Sequence, residues 1–248
     1  MLKGYHPILE DETNCEVLAR NLGMCTMCTA TMTILGYKHR ATYSELTAKF
    51  FGSKDAMKPA GFERRLQKYH PGGQQCALLF CAYQCKNTYE CFQHIEEPIN
   101  LLHHSVSAFI AWLSLHPGGI HFYVVASSFC EIPAMISSIY INFDDGFLLG
   151  SIPGLGAAFP KTKFVFSIAS GISFILFRVC FWFFLMFHYV LDMRRAMNSK
   201  RPSAQKFKFW LPAFLLCAII LFYVNVILFT TVIRYIPKVL GNLLKERI

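Results

Sequence analysis

The residues best suited to chemistry in this sequence are two adjacent histidines, His103 and His104, in "EEPINLLHHSVSAFIAWLSL". The imidazole of histidine titrates at about pH 6.5, so it can serve as a general base or a nucleophile near neutrality. Neighbouring residues on a helix point about 100° apart, so the two rings cannot serve one spot. One can face a central cavity while the other meets a neighbouring helix. Hydrogen bonding across helix interfaces is the plainer role for both, and the pair alone does not decide between the two.

Other ionisable residues interrupt apolar stretches. Glu131 breaks "VVASSFCEIPAMISSIY", and Arg178 sits inside "FILFRVCFW". A charge left unpaired in hydrocarbon is costly, so these two are expected to pair across helices. Lys86 and Glu90 lie four residues apart, on one helix face, and are a second candidate pair lining a cavity or each other. His188 and Asp192 have the same spacing at the end of an apolar run, where they would anchor it at the interface. A metal site is not expected, because the histidines form one HH pair and no HxxxH pattern. "CTMC" at Cys25 and Cys28 has metal or redox spacing but lacks a second pair, so helix packing is the simpler reading. There is no P-loop, GxSxG elbow or dinucleotide fingerprint, so no bound cofactor is called for.

Apolar runs must position these side chains. Of 248 residues, 54% are hydrophobic and 16% charged, against roughly a quarter charged in soluble domains. A helical span needs roughly 20 apolar residues. The clearest runs are Phe164–Leu191 and Trp210–Tyr235, followed by Ile99–Leu115, Ile120–Ile141, Val17–Tyr37 and Cys76–Phe92. The chain therefore reads as an all-α, polytopic membrane protein with about six transmembrane helices. A polar tail (1–16) precedes the membrane domain (17–235) and a basic tail (236–248) follows it. The "HPGG" turn is short enough to make Ile99–Leu115 and Ile120–Ile141 antiparallel neighbours. The linker Asn142–Lys163 reads as a connecting loop, and no signal peptide is evident.

The formal net charge is +9, collected mainly in "KHRATYSELTAKFFGSKDAMKPAGFERRLQK" and "RRAMNSKRPSAQKFK". These clusters flank apolar runs and form no aromatic-interleaved patch. Membrane lipids are thus the expected partners and nucleic acid is not. With six spans both clusters fall on one side, which the positive-inside rule makes cytosolic, leaving both termini opposite.

Taken in order, "LLHHSVSAF", "FCEIPAM" and "ILFRVCFWF" resemble the TLC domain family (TRAM, Lag and CLN homology). In that family a helix ending in acidic residues leads into a span carrying "LLHH". The next span holds an acidic residue before a Pro or a small residue, and a later span holds an Arg. "ARN" at Ala19–Asn21 is similar to the "RN" that often precedes the first helix of the domain. The resemblance covers nearly the whole chain and implies six or seven helices bundled around a lipid-accessible cavity. From the family's ceramide-synthase branch it implies acyl transfer from acyl-CoA, with His103 as nucleophile or base and His104 supporting it. Glu131 and Arg178 would shape the cavity.

The sequence departs from that branch. "VVASSFCEIP" lacks the "HD" and further Asp, "AYQCKN" lacks the Asp of the expected Tyr-Asp, and no homeobox-like segment is present. Ceramide synthesis is not expected. The Glu-then-Pro pattern is more similar to the TLC-domain-containing and ceroid-lipofuscinosis-type branch, linked to phospholipid composition, lipid homeostasis in the endoplasmic reticulum and cargo transport. The resemblance implies residence in that membrane and a cytosolic N-terminus, opposite to the charge count. Two functions stay open: a lipid acyltransferase with acyl-CoA as co-substrate, and a non-catalytic lipid-binding or cargo-transport adaptor. A transporter would call for an inverted repeat or a broken helix pair, and neither is visible.

Overall fold

In hydrocarbon the backbone must bond to itself, so long apolar runs become helices. The structure, a computed structural model, describes residues 6–94, 98–116, 119–145, 151–202, 208 and 210–245, by backbone alone at 94, 228, 229 and 231–245. Among these residues every regular element is helical. Asp11 caps α1 (Glu12–Ala19), accepting from the Asn14 amide at 3.0 Å. A π-helical turn, Arg20–Thr26, carries the chain straight on into α2 (Met27–Lys38). Two short helices follow, α3 (Ser44–Phe50) and α4 (Phe62–Gln67). Next come α5 (Pro71–His94) and α6 (Pro98–Leu113), each opened by a proline whose missing N–H costs nothing in a first turn.

The next segment is α7 (His121–Ser127), a 3-10 turn at Ser128–Glu131 and α8 (Ile132–Tyr140). Pro133, with no N–H to offer, sits where the 3-10 turn gives way to α8. After α9 (Leu155–Ala158), a long helix is built from α10 (Pro160–Ser173), a π-helical stretch at Phe174–Phe181 and α11 (Trp182–Asn198). The last helix is α12 (Trp210–Lys245).

Among the described residues three stretches are long and apolar enough to cross a membrane: His121–Phe143, Pro160–Asn198 and Trp210–Ile227. The continuous α1–α2 helix, α5 and α6 occupy the other expected spans and pack into the same bundle. The outer surface displays Ile34, Leu78, Ile172, Phe187 and Leu216, as lipid contact requires.

One expectation is corrected. The short turn does not make α6 and α7 neighbours: α6 packs on α5 and α12, whereas α7 packs mainly on α5 and α4. The two face each other across a cavity, described below. Of the "HPGG" turn, Pro117 and Gly118 lie outside the described residues.

The two basic segments meet at one end of the bundle, where α4 packs on α11 and Arg201 Nη1 bonds Glu63 Oε2 at 3.1 Å. At the other end, Leu9 packs with Ile152 and Leu155, backed by Phe143 and Phe159. Part of the linker is therefore folded against the N-terminal residues, with α9 inside it; residues 146–150 lie outside the described ones.

Candidate functional site

Several helices line a common cavity of about 80 Å³, most of its polar residues coming from three of them. From α6 come His103 and Ser107, and Ser114 follows just past its end, continuing the helical spacing. Tyr123, Ser127 and Glu131 come from the α7 segment, and Arg178, Trp182 and Tyr189 from the π-helical stretch and α11. His103 and Ser114 are eleven residues apart, so the lining of this slot spans roughly 16 Å of rise. A volume this small accommodates a handful of waters or the reacting end of a larger molecule.

At the His103 end, Arg178 Nη2 bonds Glu131 Oε1 at 3.0 Å, with Glu131 only 4% exposed. Both partners sit where the helix is irregular: Glu131 ends the 3-10 turn, and Arg178 lies in the π-helical stretch. Such turns leave backbone groups looking for outside partners and recur at functional sites. Here the Cys130 thiol donates to the Phe177 carbonyl at 3.4 Å, which ties the two irregular turns together. The Arg178 guanidinium is also within electrostatic reach of His103.

The two histidines divide their roles. His104 Nδ1 donates to Gln84 Oε1 of α5 at 2.6 Å, and Gln84 is buried. His103 turns into the cavity with its ring edge-on to His104, centroids 5.1 Å apart at 72°. Its Nδ1 is buried and, among the described residues, has no hydrogen-bond partner. The same is true of Trp182 Nε1 and Tyr189 Oη, which line the same cavity. A buried polar atom left unpaired costs about 1–3 kcal/mol, so three on one cavity wall mark a place built to receive hydrogen bonds.

Lys86 and Glu90 do pair, at 2.6 Å, but not in the cavity: the α5 residues that reach it are Ala77 and Phe80. Asn225 reaches it and is 5% exposed. His116 stacks on Trp210 with centroids 5.6 Å apart, which registers α12 against α6. Counting helix rise from that contact puts Asn225 and His103 at about the same depth, roughly 20 Å away. Asn225 is visible in the sequence as the one amide in "FLLCAIILFYVNVILF". Trp182 and Tyr189 share a helix face with Arg178, at four and eleven residues beyond it.

Asp192 is not an interfacial anchor with His188. It is fully buried, bonded by the Nε of Arg65 and, at 2.8 Å, by Arg65 Nη2. Tyr123 Oη donates to it at 2.7 Å and Arg195 Nη1 at 2.8 Å. Burial opposes the Arg65 charge, yet the bonds to Asp192 hold its pKa above the ordinary arginine value. Because Tyr123 is also cavity wall, this hub closes the slot at the end away from His103. Among the described residues no three His, Cys, Asp or Glu side chains gather as metal ligands would.

A family model described as the TLC domain matches residues 22–234. No curated protein and no solved structure gives a significant match.

Proposed function

The chain belongs to the TLC-domain family of membrane proteins, and from that premise we propose that it transfers an acyl group from acyl-CoA to a membrane lipid, with His103 at the reacting centre. One observation carries this reading: the unpaired polar atoms of His103, Trp182 and Tyr189 all line one cavity. The neighbouring His104, by contrast, is bonded to Gln84 and does not line the cavity.

The neutral His103 imidazole takes the proton from the acceptor lipid's hydroxyl or amine as that atom attacks the thioester carbonyl. The tetrahedral intermediate collapses, the C–S bond breaks, and the leaving CoA thiolate recovers the proton from the imidazolium. Trp182 and Tyr189 donate to substrate oxygens along the slot. Glu131 holds the Arg178 guanidinium beside the imidazole. His104, held by Gln84, keeps the neighbouring ring oriented. The endoplasmic reticulum membrane is the compartment we assign to this activity.

A second reading, a non-catalytic lipid-binding or cargo-transport adaptor, draws on the way His104 and the Glu131–Arg178 pair are committed to helix contacts. The test is to incubate purified protein with labelled acyl-CoA and a panel of hydroxyl and amine lipids. Transfer by the wild type should fall at least about 100-fold in His103→Ala, the loss typical of a removed base. The unfolding temperature of that variant should be unchanged. Absence of transfer to every acceptor sinks the catalytic reading and leaves the adaptor.

A further inference from the structure

A second concavity, independent of the histidine slot, lies at the C-terminal end of α2. It measures about 580 Å³ and is lined by Tyr37, Lys38, Arg40, Ser44, Thr47 and Phe129, among others. Its size suits a small polar group, since ligand sites commonly fall between about 300 and 1,000 Å³. None of its lining residues is acidic. Among the described residues Lys38 has no ion-pair or hydrogen-bond partner for its ammonium. Arg40 lies over the Tyr37 ring at 4.5 Å and donates from Nη1 to the Tyr37 carbonyl at 3.2 Å, leaving further N–H groups of its fork to spare.

The nearest carboxylate in sequence, Glu45, does not neutralise these cations, because it is held by Arg64 at 2.7 Å and faces Arg65 at 3.6 Å. From Lys38 to Lys68 the chain has eight Lys and Arg against three acidic residues. The concavity therefore lies in a net basic segment at that end of the bundle. Directly beside it, α2 shows lipid an apolar face: Met27 is 61%, Ile34 64% and Tyr37 60% exposed. These residues cover about 15 Å of helix.

We propose that this concavity holds the phosphate headgroup of an anionic membrane phospholipid, whose acyl chains lie along the exposed face of α2. Lys38 and Arg40 contact the phosphate, Tyr37 sits at the headgroup level as aromatic side chains do at membrane interfaces, and Met27 and Ile34 meet the chains. A soluble anion would satisfy the cations but has no use for the apolar face.

The experiment uses the full chain purified in a neutral detergent and titrated with phosphatidylglycerol or with phosphatidylcholine of the same acyl chains. Bound lipid is counted by native mass spectrometry. Phosphatidylglycerol should bind more tightly, and Lys38→Gln with Arg40→Gln should weaken it about 30-fold, from roughly tenfold or less per surface cation. Both residues are exposed, so the variant should unfold at the wild-type temperature without lipid. A charge-matched control, Lys161→Gln with Lys200→Gln, should bind as wild type does. Equal binding of the two lipids, an unaffected double variant, or equal loss in the control overturns the proposal. So does inorganic phosphate that displaces the lipid at equal concentration, which would mark a site for a small anion.

Discussion

An imidazole nitrogen buried without a partner works against folding, whereas one that bonds a buried amide supports it. His103 and His104 are adjacent and chemically identical, so this difference can be measured directly. His103→Leu removes an unpaired Nδ1 and should leave the unfolding temperature unchanged or raise it. His104→Leu strands the buried Gln84 amide and should cost about 1–3 kcal/mol. Thermal unfolding of the two variants in one detergent decides the matter, and a larger loss in His103→Leu would refute the assignment of its ring to the cavity. The direction matters for function, since residues that serve a site rather than the fold often trade stability for activity.

Helices in this bundle approach closely where a side chain is missing. At the start of α5, His121 accepts from the His70 amide at 3.1 Å through Nδ1 and donates to the Ser114 carbonyl at 3.0 Å through Nε2. That bridge sits against Gly73, where an added Cβ would lie 2.4 Å from His121 Cβ and 2.9 Å from its Cα. Backbone cannot step aside, so Gly73→Ala should destabilise by at least about 1–3 kcal/mol through overpacking. Gly171 in α10 has nothing within 4 Å of its added Cβ, and Gly171→Ala should stabilise by up to about 1 kcal/mol through helix propensity. Opposite shifts in denaturation midpoint are expected; shifts of one sign would mean that α5 and α7 do not meet as described.

Charge is distributed unevenly over the molecule as a whole. The segments 38–68 and 194–201 share one end, joined by Arg201 and Glu63, while Leu9, Ile152 and Leu155 gather at the other. The positive-inside rule predicts that the basic end is cytosolic. Single cysteines at Lys54, Lys200 and Lys161 can be probed with a membrane-impermeant maleimide. Lys54→Cys and Lys200→Cys should react from the cytosolic side and Lys161→Cys only from the opposite one. The reverse pattern would put the N-terminal residues in the cytosol, as the family resemblance implied.

Hydropathy and charge are sums over neighbouring residues, so the sequence by itself determined the helical membrane class and the candidate polar residues. It also placed both basic segments on one side, since an even number of crossings separates them. Helix rotation and partner choice depend on contacts between distant residues, and only the tertiary structure decided those. They turn His103 to the cavity and His104 to Gln84, set α6 and α7 apart rather than together, and leave Lys86 and Glu90 outside the slot. They bring Asn225, Trp182 and Tyr189 into it, and bury Asp192 under Arg65. Pro133 marks the turn at Glu131 in the sequence, whereas the pairing of Glu131 with Arg178 across the bundle is a contact only the tertiary structure shows.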